Sequence, residues 1–182
     1  MQILDEVLDE LGPLLRMDIF RCRDDDGETY DSNTICPRGR PDIPGASLNG
    51  IHIRFVDAQH IPCTVHAPRF VGCANTVVGI HPASDGRFAF YLEEGEVSVA
   101  MRQTSRDLRQ VLTHELLHVM AGLAHAEDGI MATVETGAPT DALTDMDKAQ
   151  LWLYSNPLIY SGMPLSLVKA LVRYGEWETP PP

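Results

Sequence analysis

The sequence predicts an α+β domain, and three observations carry that reading. Residues 2–17 have apolar side chains at helical spacing, residues 49–101 hold a series of short β-rich segments, and a capped helix begins at Thr104 or Ser105 with a further helix after it. A chain of 182 residues is long enough to bury a substantial core. One domain is expected over residues 1–154, with an irregular segment at 18–47 and a C-terminal extension at 155–182.

The first helix is expected from the apolar residues at 3, 4, 7, 8, 11, 14 and 15, with Asp and Glu on the other face and an interruption at Gly12-Pro13. Residues 18–47 are rich in Asp, Gly, Pro and Arg and read as surface loops or an arm. Asp24-Asp25-Asp26-Gly27 lacks the ligand spacing of a calcium loop. Asn49 to Val56 alternates as a strand with Ile51, Ile53 and Phe55 on one side and His52 on the other. Val77 to Ile80 reads as a short strand. Phe88–Leu92 and Glu96–Met101 read as two more, with Glu93-Glu94-Gly95 as the hairpin turn between them. In the next helix Asp107 sits in the first turn, and Leu108, Val111, Leu112, Leu116 and Val119 form an apolar stripe. Thr144 caps a helix that Asn156-Pro157 ends, and residues 166–174 have the pattern of a last one.

The formal net charge of −12 disfavours nucleic acid and anionic membrane as partners, since both require local positive charge. No apolar run is long enough to span a bilayer. The acidic first ten residues do not read as a secretory signal, so a cytoplasmic or virion-associated location is expected, with export by another route open. Cys22, Cys36, Cys63 and Cys73 form no CxxC pair and are expected as reduced thiols rather than metal ligands. His60, His66 and His81 are spaced too irregularly, among Cys63 and Cys73, to suggest a second metal site.

The chemistry concentrates in Thr113-His114-Glu115-Leu116-Leu117-His118, followed by Gly122 and His125. Histidines four apart on a helix lie one turn apart on one side and can share a metal ion. Glu115, directly after the first, is placed to act as general base on an activated water. Zinc takes about four ligands, one of them exchangeable in a catalytic site. His125 is the leading third ligand, with Glu127, Asp128 and Glu135 as alternatives. On a continued helix His125 would lie about 10.5 Å beyond His118 along the axis, so the helix must end near Gly122.

These residues resemble the metzincin metallopeptidases of the zincin superfamily, whose signature is HExxHxxGxxH followed by a methionine turn. His114, Glu115, His118, Gly122 and His125 match that motif, Asp128-Gly-Ile-Met131-Ala resembles the turn, and residues 143–154 resemble the helix closing small matrixin-like domains. The resemblance covers about residues 105–154. It departs at one point: three residues rather than two separate His118 from Gly122. Either the helix runs one residue longer, or its end takes another turn type.

The resemblance implies a twisted mixed five-stranded sheet, mostly parallel with one antiparallel edge strand drawn from residues 86–101. It also implies a backing helix, an active-site helix and a C-terminal helix. The implied cofactor is Zn2+, held by His114, His118 and His125. The implied activity is peptide-bond hydrolysis on a peptide or protein substrate, with Glu115 as catalytic base. Cys36 could approach the metal, and Tyr154 and Tyr160 are expected to pack rather than to ligate. The alternative is a zinc-binding structural component of a larger assembly, such as a virion or secretion apparatus. A zinc ribonuclease of the rRNA-maturation type would also carry three histidines near a helix end, but Glu115 and the acidic balance argue against it.

Overall fold

The computed structural model describes residues 2–15, 18–21, 34–38, 50–65, 71–82, 88–101, 104–132, 138–140, 142–155, 164 and 166–167. Helix α1 (Gln2–Leu15) buries Leu4, Val7, Leu8, Leu11 and Leu15, the face its spacing predicts. It runs on through Gly12-Pro13, where the sequence suggested an interruption. Pro13 removes one backbone hydrogen bond near the helix end. Burial of Leu11 and Leu15 on either side, at about 1.5–3 kcal/mol each, offsets that loss.

A five-stranded mixed sheet follows, in the order β1-β2-β3-β5-β4. Strands β1 (Asp18–Arg21) and β2 (Thr34–Arg38) pair antiparallel, with Asp18 opposite Arg38. The expected irregular segment at 18–47 therefore contains two strands. Their β-forming residues, Ile19, Phe20 and Ile35, are few beside the turn-forming residues around them. The acidic run at 24–27 lies outside the described residues. Strand β2 pairs antiparallel with β3 (Ile51–Val56), and β3 runs parallel to β5 (Phe88–Ala100).

Strand β4 (Gly72–Pro82) pairs antiparallel with β5 and forms one edge of the sheet, opposite β1. Two expectations are corrected here. Residues 88–100 form one strand rather than two, and that strand lies inside the sheet rather than at its edge. Across the register shift Val77 faces Glu94 while Val78 faces Leu92, which leaves Glu93 as the extra residue of a bulge. A bulge and a turn share the same residue preferences, so Glu93-Glu94-Gly95 reads as either. The sheet is also not mostly parallel, since among the described residues β3–β5 is its single parallel pairing.

Helix α2 (Ser105–Ala121) packs on β4 and β5, and α1 packs on α2, α3 (Asp145–Ser155) and β1. Ile51, Ile53, Val97 and Val99 from the central strands meet Leu112, Leu116, Leu117, Val119 and Met120 of α2 in one core. Leu117 and Met120 widen the expected stripe, because α1 covers part of α2 that the sheet leaves open. Arg109 of α2 forms ion pairs with Glu6 and Glu10 of α1. Short strands β6 (Asp128–Gly129) and β7 (Ala138–Pro139) pair in parallel as a separate two-stranded sheet. Of the expected last helix only residues 166–167 are described.

Cys63, in a 3-10 turn at Pro62–Val65, is disulfide-bonded to Cys73 of β4 with Cα atoms 5.7 Å apart. The expectation of reduced thiols is corrected for this pair. Only the fold brings that turn beside the start of β4. Cys22 and the side chain of Cys36 lie outside the described residues.

Candidate metal centre

The cap at Thr104 starts α2: its hydroxyl accepts from the Asp107 N–H at 3.2 Å. The helix ends at Ala121, and Gly122 takes the left-handed conformation at φ 60°. The Gly122 N–H points back to the carbonyls of both His118 and Leu117, and the Leu123 N–H reaches Leu117 at 3.4 Å. The last turn is thus wider than an α-turn. This widened end accommodates the one additional residue before the glycine.

It also turns the chain back. The His114 and His118 ring centroids are 4.6 Å apart, and His125 returns to 5.2 Å from the first and 4.7 Å from the second. One potential ligand atom from each of the three lies within 4.8 Å of the other two, so the group could hold a metal ion. His114 and His118 are half-buried, and His125 is exposed. Glu127 and Asp128 are exposed and stand outside the cluster, and Glu135 lies outside the described residues.

The backbone fixes the tautomers of the first two rings. His114 Nδ1–H donates to the Ile130 carbonyl at 2.7 Å, and His118 Nδ1–H donates to the Leu123 carbonyl at 2.5 Å. Their Nε2 atoms then face each other at 3.0 Å with a lone pair on each, an arrangement that makes no hydrogen bond. A cation shared between them resolves it: two nitrogens on a tetrahedral zinc at Zn–N 2.0–2.1 Å stand about 3.3 Å apart. With His125 beside them, the donor set of three imidazoles fits a divalent metal ion. Desolvation pushes His118 down to about 4, against the opposing pull of the Leu123 carbonyl. Desolvation also lowers His114. Both rings are therefore neutral at neutral pH, the form that binds metal.

Glu115 is 7% exposed, and burial raises its carboxyl to about 7. Its carboxylate is not one of the clustered ligand groups but lies against Gly72, the first residue of β4. Ile130 and Met131, where the sequence placed a methionine turn, do form a turn. Both residues are buried, and the Ala126 N–H closes onto the Met131 carbonyl at 3.0 Å.

Sequence reasoning missed Asp147. This fully buried carboxylate accepts from the Thr144 N–H and hydroxyl through Oδ2 and favours the protonated form of His114. Its Oδ1 has no hydrogen-bond partner among the described residues. The Thr144-x-x-Asp147 spacing, an N-cap signature, was the signal available. His52 sits away from the cluster with its Nδ1 3.1 Å from the Thr34 hydroxyl, and His60 is exposed. His66 and the side chains of His81, Tyr154 and Tyr160 lie outside the described residues. No protein-family model, curated protein or solved structure matches the chain.

Proposed function

We propose that the protein is a zinc-dependent peptidase of the zincin type, in which His114, His118 and His125 hold the ion and Glu115 is the general base. The observation that carries the reading is the convergence of three histidines, two of them with tautomers set by backbone carbonyls, beside a buried glutamate. Zinc, when bound, supplies Lewis acidity toward a water and a substrate carbonyl. The protein's own part is to hold the His114 and His118 imidazoles neutral, to orient them through Ile130 and Leu123, and to keep a carboxylate at low solvent exposure. A carboxyl raised to about 7 is matched to taking a proton from the attacking water and passing it to the leaving amine. The substrate class is an extended peptide or a protein segment. The domain reading, residues 1–154 with 155–182 as an extension, belongs to the same proposal.

A second reading, a zinc-binding structural component of a larger assembly, is favoured by one observation: the ligand cluster is complete with the three histidines and includes no Glu115 oxygen. One experiment separates the two. The zinc-loaded parent and Glu115→Ala are compared on an internally quenched peptide library, with bound zinc measured in both. Cleavage is expected in the parent and a loss of at least about 10²-fold in the variant, with equal zinc content. No cleavage by either, with zinc retained, would establish the structural reading instead.

A further inference from the structure

We propose that Gly72 is the positioning residue for Glu115: the space left by its missing side chain is the seat of the carboxylate. This rests on the reading of Glu115 as general base. A Cβ built on Gly72 would lie 2.5 Å from Glu115 Oε1, 2.8 Å from its Cγ and 2.6 Å from Val111 Cγ1. Ordinary contacts of that kind begin near 3.5 Å, so an alanine here displaces what it meets.

Gly72 is paired opposite Val99, and the neighbouring Val71 carbonyl accepts from the Ala100 N–H at 2.9 Å. The strand backbone is therefore held and does not yield easily. Gly72 is not among the glycines with positive φ, so its backbone suits any residue. What the position requires is absence of volume.

Val111 and Glu115 are four apart and share one side of α2, the side turned to β4. His118, three residues past Glu115 and seven past Val111, borders that same side, and its ring is held instead by the Leu123 carbonyl at 2.5 Å, as that of His114 is by the Ile130 carbonyl. The three atoms nearest a Cβ at 72 belong to Glu115 and Val111, and none to a histidine. A side chain at 72 would push the carboxylate out of its seat while leaving the metal ligands in place.

The test uses the full chain loaded with zinc. Gly72→Ala is made in the parent, in Glu115→Ala, in Val111→Ala and in the Val111→Ala/Glu115→Ala pair. In the parent background, kcat on the peptide library is expected to fall about 10²-fold with KM within about twofold. Zinc affinity, measured by chelator competition, should stay within about threefold of the parent, against the 10–100-fold expected from losing a ligand-orienting contact. The drop in urea midpoint caused by Gly72→Ala should shrink by at least half when Glu115 is already alanine, and should nearly vanish when Val111 is alanine as well.

A midpoint drop of the same size in all four backgrounds would overturn the proposal. So would unchanged kcat in Gly72→Ala of an active parent. If Gly72→Ala fails to fold, the variant combining it with Val111→Ala and Glu115→Ala decides: folding supports the seat, and failure to fold overturns it. If the parent cleaves no peptide, the peptidase reading fails on its own, and the midpoint coupling still decides whether Gly72 seats Glu115.

Discussion

Burial makes two neighbouring residues pull the folding equilibrium of the metal-free protein in opposite directions as pH changes. Glu115 ionises near 4.5 in an unfolded chain and near 7 in the fold. Between those values the folded state holds a proton that the unfolded state has released. Stability therefore falls as pH rises through that window, and the penalty is complete above pH 7. His118 goes the other way. Its pKa drops from 6.5 to about 4 on folding, so stability falls as pH drops through that range. Glu115→Gln should therefore stabilise the metal-free protein by about 3 kcal/mol at pH 8, with most of the gain gone at pH 4.5. Urea titrations of both proteins at the two pH values check this. A gain that does not change with pH would mean that the carboxyl is not buried in its charged form.

At the scale of elements, the end of α2 decides whether His125 meets the other histidines. A Cβ on Gly122 would meet nothing within 4 Å, so Gly122→Ala tests conformation alone. It should cost about 1 kcal/mol of stability, from the left-handed backbone. Because the widened turn carries both the Leu123 carbonyl and the approach to His125, zinc affinity should fall at least about tenfold. Calorimetry for stability and chelator competition for affinity give the two numbers. Parent-like zinc affinity would show that the turn does not deliver the third ring. The signals here are local, which is why they were legible: the Thr104 cap, the four-residue histidine spacing, the glycine and the need for the helix to stop. Contacts between distant residues left no such trace. The β1–β2 pairing, the placement of β4 at the edge, the Cys63–Cys73 bond and the fit of Glu115 over Gly72 arise only when strands find their partners. Residues 93–95 are ambiguous in sequence for another reason, since a bulge and a hairpin turn favour the same side chains.

For the whole molecule, the disulfide joins the start of the edge strand to the turn before it, across a sequence separation of 10. A loop of that size is worth about 2–3 kcal/mol on chain-entropy grounds. Reduction should then lower the melting temperature by about 5–10 °C. A scanning-calorimetry trace unchanged by reductant would show that the bond does not form in the folded protein. Among the described residues no helix is long and apolar enough to cross a membrane. The five-stranded sheet, α1 and α3 together form a frame that holds α2 from two sides.

The three histidines and the two carbonyls that orient them all lie between His114 and Ile130. A cation bound there ties together chain that is already near in sequence, and so removes little of the unfolded chain's freedom. It acts as a ligand of the folded helix end rather than as a cross-link between distant parts. Its contribution to stability follows its free concentration, at about 1.4 kcal/mol for each tenfold rise above the dissociation constant. The strand pairings of the sheet involve none of these residues.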